Sequence, residues 1–242
     1  PDRWSLPDEM RDDTGIIFVS AFPGYNAYAK EMKQFYDNQT KLEKLSLLES
    51  IRKELSGQNG HDQLVNNLNN RIAQIQKDLD ENAYSFNRRF LLRVLSMGHS
   101  QFAQYIGARG PNTQLNSACA STTQAIGLSK DWIEGGRCER VIIIAADDIT
   151  SDDTISWFSS GFLAVGAAAT DERVEDAALP FDKRRHGMIV GMGAVAIVVE
   201  SGRSADRRSI HPICEVLSTV TANSAFHGTR LDVNHIKMVM EK

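Results

Sequence analysis

The sequence predicts an α/β fold in which parallel strands alternate with helices. Two continuous apolar runs, residues 15–20 and 140–146, have the length of strands that are buried on both faces. Between them, apolar residues recur at helical spacing after Cys119 and stop at Gly135-Gly136. A short strand at 113–117, this helix and the strand at 140–146 therefore imply a right-handed parallel crossover.

Composition and charge exclude several classes of protein. The chain has 242 residues, of which 42% are hydrophobic, enough for one substantial core or two small ones. Its net charge of -4 comes without a basic block, which argues against a nucleic-acid partner. No apolar run reaches the roughly 20 residues of a membrane helix, and no signal-peptide pattern opens the chain. We therefore expect a globular protein of the cytoplasm, without a membrane span.

The three cysteines indicate neither a disulfide framework nor a zinc site. Cys119, Cys138 and Cys214 are odd in number, widely spaced and without a C-x-x-C pair.

The chain begins at Pro1 without a methionine, and Lys242 directly follows a run with helical spacing. From these two ends we expect a piece of a longer protein.

The amino-terminal third is predicted to pass from the first strand into helices. Residues 21–24 turn the chain out of the sheet, and an amphipathic helix is expected from about 28 to 36. Residues 41–80 predict an antiparallel helical hairpin, broken at 56–60, with Asp62 as the cap of its second helix. Because its apolar stripe is narrow, a solvated protrusion is favoured; a partner-docking arm is the functional alternative.

The remaining elements follow from the same periodicities. Residues 86–106 predict a helical stretch with a break at Met97-Gly98-His99-Ser100, where His99 is interpreted as a hydrogen-bonded structural histidine. Beyond the strand at 140–146 the pattern predicts another strand at 195–200, a polar surface loop or linker at 201–209, the first strand of a new unit at 210–222 and the start of its helix at 233–240.

Cys119 is the strongest candidate for a catalytic residue. It lies where a short strand meets a helix, so unpaired N–H groups and the positive end of the helix dipole favour a thiolate and can hold an oxyanion. The alternative is a small buried hydrophobic residue, the usual role of a lone cysteine. The small neighbours Ala118, Ala120 and Ser121 favour the nucleophile, because they let a substrate approach the sulfur.

Two motifs resemble those of the β-ketoacyl synthases, the condensing enzymes of fatty-acid and polyketide synthesis within the thiolase-fold superfamily. Ser117-Ala-Cys-Ala-Ser121 is similar to their nucleophile motif. Pro180-Phe-Asp-Lys-Arg-Arg185-His-Gly187, continuing to Gly191-Met-Gly193-Ala194, is similar to a second signature at the expected separation. Glycines in such a segment mainly indicate close backbone packing, and we assign them that role.

The match departs from the family pattern at three positions. Met192 stands where an acidic residue is usual, His186 where aspartate is usual, and Ser117 where threonine is frequent. Asn116 and Ser121 also fit the cysteine context of the related thiolases, although the Pro-Phe-Asp segment favours the synthases.

The resemblance implies a thiolase-like α/β/α/β/α sandwich built from two similar halves. Residues 1–204 would form the first half, with the helical hairpin inserted at about 41–80, and residues 205–242 would begin the second. Cys119 would accept an acyl group for decarboxylative condensation with malonyl-carrier protein. Phe162, in a Gly-Phe pair, resembles a residue near the acyl pocket, and Arg109-Gly110-Pro111 resembles the family's Gly-Pro turn.

The segment around His227-Gly-Thr229 can be interpreted in two ways, as the catalytic histidine motif or as a substrate-entrance loop. The family's catalytic histidine lies in such a motif, but the position resembles the substrate-entrance loop, because it follows Cys119 at a short separation. We therefore predict a substrate-binding role for His227 and Thr229.

The resemblance also implies partners. These are acyl carrier protein with its phosphopantetheine arm, a second copy in a homodimer, and the remainder of the synthase or a complementary chain. No metal or redox cofactor is implied.

Two alternative functions remain: a non-catalytic half or subunit that pairs with a second chain, and a thiolase-type acyltransferase. The acyl chain length and the pathway do not follow from the sequence.

Overall fold

The computed structural model describes residues 4–57, 60–152, 154–225 and 232–242. The chain divides into two compact units: Pro1–Pro23, Ser96–Thr150 and Phe158–Lys242 form the first, and Gly24–Leu95 and Ser151–Trp157 form the second. We call them the sheet unit and the hairpin unit.

The elements follow one another in an order typical of an α/β protein. They are α1 (Asp8–Arg11), β1 (Thr14–Val19), α2 (Tyr25–Leu55), α3 (Asp62–Glu81), α4 (Phe90–Val94), α5 (Gly98–Ile106), β2 (Asn112–Leu115), α6 (Ser121–Glu134), β3 (Arg140–Asp148), α7 (Ile155–Ala164), α8 (Val174–Ala177), β4 (Met192–Glu200), α9 (Gly202–Arg207) and α10 (Val233–Met240).

The sheet unit is built on a four-stranded sheet with the order β2-β1-β3-β4. β1 pairs in parallel with both β2 and β3, whereas β4 pairs antiparallel with β3. The chain therefore crosses over β1 between β2 and β3, with α6 in the connection. This confirms the predicted α/β class and the parallel arrangement of these strands.

Both faces of the sheet are covered at β1, as its continuous apolar run predicts. On one face, Ile17 and Val19 of β1 pack with Val141 and Ile143 of β3 in a core that includes Trp132 of α6. On the other face, Ile16 packs with Ala103 and Ile106 of α5. Successive strand residues point to opposite faces, so neighbours such as Ile16 and Ile17 are both buried, one on each side.

The predicted surface loop at 201–209 is wrong, because this segment contains α9. The Ser201 side chain caps the helix by accepting a hydrogen bond from the backbone N–H of Ser204. Ser204 itself is buried, since its hydroxyl contacts Glu200 and Arg140. A six-residue helix with one alanine among polar residues and glycine has no apolar period, so local pattern does not reveal it.

The predicted strand at 210–222 is also wrong. None of these residues joins a strand of the described sheet, and Ile213 is fully exposed. A β-branched run forms a strand only where a neighbouring strand accepts its hydrogen bonds. The following helix matches the prediction: α10 covers Val233–Met240, and Asp232 caps it by accepting from the backbone N–H of His235.

In the hairpin unit, α2 and α3 pack side by side. The two predicted helices at 28–36 and 41–55 form one 31-residue helix, because the polar residues between them continue the helical turn. Lys41 and Asp78 form an ion pair across the two helices at 2.5 Å, and Ile72 of α3 is buried. α3 begins at Asp62, so this residue is the first of the helix and His61 is its cap position.

Within the described ranges, no helix combines the length and the apolar character that a bilayer span requires.

Candidate active site

Cys119 lies in a tight turn between β2 and α6, two residues before the helix begins. Ala118 has a φ of 49°, in the left-handed region that non-glycine residues rarely adopt. Two side chains hold this conformation. Asn116 accepts a hydrogen bond from the Ala118 N–H at 3.1 Å, and the buried Ser121 hydroxyl donates to the Ala118 carbonyl at 2.6 Å.

Ser121 completes this turn from the helix side. Its hydroxyl oxygen also accepts from the backbone N–H of Ser117 at 2.7 Å. Through these hydrogen bonds Ser121 links the start of α6 to the two residues before Cys119. We call this segment, which exposes Cys119, a braced turn because side chains on both sides of the cysteine hold it. The sequence prediction that Cys119 lies beside a helix N-terminus is confirmed.

The turn opens on a cavity of about 460 Å³ at one edge of the sheet. Parallel strands end at the same edge, and an antiparallel neighbour begins there. Residues at or beside these ends of β1, β3 and β4 therefore line the cavity, together with the turn that follows β2. The cavity is lined mainly by small and apolar residues: Val19, Ala21, Ala118, Cys119, Ser121, Thr122, Ala145, Ala146, Asp147, Gly191, Gly193, Ala194 and Val195.

The two sequence motifs meet at this cavity. Gly191, Gly193 and Ala194 of the second motif line it together with Cys119, more than 70 positions earlier in the sequence. Space is open around the two glycines, because a Cβ added at either would meet no atom within 4 Å. Close backbone packing was therefore the wrong role for these two glycines. It is correct for Gly187, where an added Cβ would collide with the backbone of Ala169.

Asp147 is the cavity residue that sequence reasoning did not identify as functional. Among the described residues that line the cavity, Asp147 alone has a carboxylate side chain. Its oxygens accept hydrogen bonds from the Ser20 hydroxyl and from the backbone N–H groups of Ala21 and Phe22. The only sequence signal was its place at the carboxyl end of a buried strand.

Phe162, the other predicted site residue within the described ranges, is not brought to the cavity. It lies on α7, half-buried. His227 and Thr229 lie outside the described residues. No histidine within the described ranges lines the cavity. The His99 ring contacts the Ser96 carbonyl at 3.0 Å, which agrees with a structural role.

The three cysteines have different surroundings and are all free thiols. Cys119 and Cys214 are exposed, whereas Cys138 is buried in the core. Burial raises the pKa of the Cys138 thiol, which disfavours its reactive thiolate form. In the part of the chain that is described, no group of three or more His, Cys, Asp or Glu side chains is arranged to hold a metal ion.

Comparison with known proteins identifies relatives of this chain. Residues 57–205 match the family model described as the β-ketoacyl synthase, N-terminal domain. The ketoacyl synthase alpha subunit of the tetracenomycin polyketide synthase from Streptomyces glaucescens is 33% identical over 125 residues, which are 52% of this chain and 29% of that protein. A 3-oxoacyl-[acyl-carrier-protein] synthase 2 from Staphylococcus aureus is 31% identical over 136 residues, which are 56% of this chain and 33% of that protein.

Solved structures with the same fold agree with these relatives. A β-ketoacyl synthase from Burkholderia phymatum STM815 has a TM-score of 0.52 and 18% identity, and the alignment covers 85% of this chain and 40% of that one. A ketosynthase solved with its type II polyketide synthase acyl-carrier protein has the same TM-score and identity, with 85% and 41% covered. The chain spans about a third of the length of the curated relatives it matches.

Proposed function

Because the chain belongs to the family of β-ketoacyl synthase N-terminal domains, we propose that Cys119 accepts the acyl group in a ketosynthase reaction. The observation that carries the proposal is the position of this thiol. It is exposed on a braced turn, beside a helix N-terminus, at the wall of a cavity lined by small and apolar residues. A volume of about 460 Å³ lies within the range of small-molecule sites.

The proposed first step is acyl transfer to sulfur. The Cys119 thiolate attacks the carbonyl carbon of an acyl thioester, a new sulfur–carbon bond forms, and the bond to the carrier's thiol breaks. The proton that left Cys119 ends on the departing thiol, so charge and atoms balance. The backbone N–H of Cys119 is the proposed donor to the oxyanion that forms on the carbonyl.

The proposed second step is decarboxylative condensation, which gives a 3-oxoacyl product. It requires donors that stabilise an enolate as carbon dioxide leaves a malonyl thioester. Since no histidine within the described ranges lines the cavity, we assign these donors to the remainder of the synthase or to a complementary chain. Residues 1–204 and 205–242 are proposed as the first half and the beginning of the second.

Partners and location belong to the same proposal. The acyl and malonyl groups arrive on the phosphopantetheine arm of acyl carrier protein, and a homodimer is the proposed assembly. Three free cysteines suit the reducing cytoplasm, where we place the protein. The chemistry requires no metal or redox cofactor.

Labelling of the thiols tests this proposal. The chain is incubated with an acyl-pantetheine thioester or with chloroacetyl-pantetheine, and the modified cysteine is found by peptide mass mapping. We expect the label on Cys119, because Cys138 is buried and Cys214 lies outside the cavity. Label on Cys138 or Cys214 with Cys119 unmodified would overturn the assignment.

A further inference from the structure

A chain of hydrogen bonds connects Asp147, at the end of β3, with the turn that carries Cys119. Asp147 Oδ1 accepts from the Ser20 hydroxyl at 2.6 Å and from the Phe22 N–H at 3.2 Å, and Oδ2 accepts from the Ala21 N–H at 2.9 Å. One carboxylate therefore satisfies three donors on the segment that follows β1. Hydrogen bonds to an ionised carboxylate are about twice as strong as neutral ones.

The same segment is tied to the cysteine turn by one amide side chain. The Asn116 Nδ2 group donates to the Ala21 carbonyl at 3.1 Å, and its Oδ1 accepts from the Ala118 N–H at 3.1 Å. Asn116 thus uses both ends of its amide between two backbone segments. The connection runs from Asp147 through the Ala21 peptide and Asn116 to the residue before Cys119.

We infer that Asp147 is a positioning residue for Cys119: its carboxylate fixes the Ala21 peptide, and through Asn116 that peptide sets the direction in which the thiol faces the cavity. Three observations support this. Asp147 and Ala21 both line the cavity, Ala118 is in a left-handed conformation that needs outside support, and the connection has no gap between the carboxylate and that residue. The inference rests on the proposed function of Cys119 as acyl acceptor.

Each hydrogen bond in this connection needs a donor on one side and an acceptor on the other. An isosteric substitution that exchanges a donor for an acceptor therefore breaks it. In Asp147→Asn, one oxygen becomes an NH₂ group, so either the Ala21 N–H or both the Ser20 hydroxyl and the Phe22 N–H lose this acceptor. In Asn116→Asp, the acceptor for the Ala118 N–H stays but the donor to the Ala21 carbonyl is lost. Neither change alters side-chain shape, but each changes the charge by one. The reaction of Cys119 with iodoacetamide reports that electrostatic effect separately, since it also needs the thiolate.

The test measures alkylation of Cys119 by chloroacetyl-pantetheine at increasing reagent concentration. For Asp147→Asn we expect the maximal rate to fall about tenfold, with the half-saturating concentration changed less than about twofold, because the alignment of the thiol is lost while the cavity remains. Asn116→Asp should act in the same direction. The double variant should fall little further than the stronger single variant, since both changes interrupt one connection.

Three controls separate positioning from loss of structure. Asp148→Asn changes the neighbouring exposed carboxylate, whose hydrogen bonds among the described residues go to Thr150. This variant should alkylate like the unmodified chain. Iodoacetamide, which needs no cavity, should react with Cys119 at an unchanged rate. Cys138 is buried and should stay unlabelled in every variant, because its labelling would report unfolding.

The outcomes are distinct. A maximal rate for Asp147→Asn equal to that of Asp148→Asn overturns the positioning role and leaves the proposed function intact. Equal losses with iodoacetamide assign Asp147 an electrostatic effect on the thiolate, labelling of Cys138 assigns it a role in general stability, and either result likewise overturns positioning. Failure of Cys119 to react in the unmodified chain overturns both proposals.

Discussion

At the residue scale, the glycines of the second motif have two different roles. Gly187 lies against the backbone of Ala169, and the two segments exchange hydrogen bonds through Ala169 and Met188. Gly191 is surrounded by open space at the cavity wall. One glycine is needed for contact between two segments, and the other keeps side-chain atoms out of the cavity.

This difference predicts opposite results for one substitution at two positions. Gly187→Ala should lower the free energy of unfolding by about 1–3 kcal/mol, because its Cβ would force the two backbones apart. Gly191→Ala should leave that free energy within about 0.5 kcal/mol of the original. Urea unfolding of both variants measures this, and equal free energies of unfolding would contradict it.

His186 lies between two acceptors. Its ring contacts the Arg184 carbonyl at 3.0 Å through Nδ1 and the Asp171 carboxylate at 2.6 Å through Nε2. Only the protonated ring donates to both. The carbonyl of Arg184, and next the carboxylate of Asp171, therefore raise the pKa of His186 above its ordinary value. The sequence shows His186 as a departure from the family pattern, and the structure pairs it with Asp171.

The raised pKa predicts a dependence on pH. A raised pKa in the folded state contributes stability that is complete below the ordinary value of about 6.5 and is lost as pH rises through the folded value. We expect an NMR titration of His186 to show a midpoint above the ordinary value, and Asp171→Asn to lower that midpoint. Asp176→Asn, a change of an exposed carboxylate elsewhere, should leave it unchanged; a fall of equal size there would contradict the pairing.

At the element scale, α9 is joined to the sheet through a buried polar network. Arg140 of β3 donates to Glu200 of β4 at 3.1 Å and to Ser204 of α9 at 2.7 Å, and the Ser204 hydroxyl donates to Glu200 at 2.7 Å. Burial acts to raise the pKa of Glu200, but hydrogen bonds from Ser204, Arg208 and Arg140 outweigh it and lower that pKa. Its contribution to stability is thus present above the ordinary pKa and lost as pH falls through the folded value.

The network predicts a cost for removing one hydroxyl. Ser204→Ala should lower the free energy of unfolding by about 1–3 kcal/mol, because the buried Arg140 and Glu200 each lose a partner. Ser160→Ala, at an exposed serine of α7, is the matched control and should have little effect. Urea unfolding at neutral pH compares them, and equal midpoints would show that α9 does not depend on this contact.

Some of these elements could be predicted from the sequence, and others could not. β1 and β3 were predictable because an apolar run of strand length carries its own signal, and α6 because its apolar period ends at two glycines. α9 was not, because its stabilising partners Arg140 and Glu200 come from other elements. Asp147 was missed for the same reason: its three donors lie more than 120 positions earlier in the sequence.

At the scale of the whole molecule, the division into two units predicts that the hairpin can be shortened. The ion pair between Lys41 and Asp78 shows that α2 and α3 are adjacent at these two residues. The axes of packed helices lie about 8–10 Å apart, so the gap to be spanned is short. A short Gly-Ser linker can therefore replace residues 45–75. We expect the sheet unit to stay folded, with Cys119 reactive and Cys138 protected from labelling.

An insertion control completes this experiment. The same linker placed in the turn near Gly57, with both helices intact, should leave helical content unchanged by circular dichroism. Labelling of Cys138 in the shortened chain alone would show that the sheet unit depends on the hairpin, contrary to its proposed role as an accessory.

The sheet order has a consequence for synthesis on the ribosome. β1 lies between β2 and β3, and Thr14 contacts Arg140, 126 positions later in the sequence. At about 5–20 residues per second, roughly 6–25 s pass between translation of the first strand and arrival of its second neighbour. α2 and α3 are made and can pair within that interval, whereas the edge of β1 that pairs with β3 stays open until β3 arrives. A nascent chain at this stage combines a finished hairpin with a hydrophobic strand that lacks one neighbour, so we expect the yield of folded protein to depend on how long that edge is shielded.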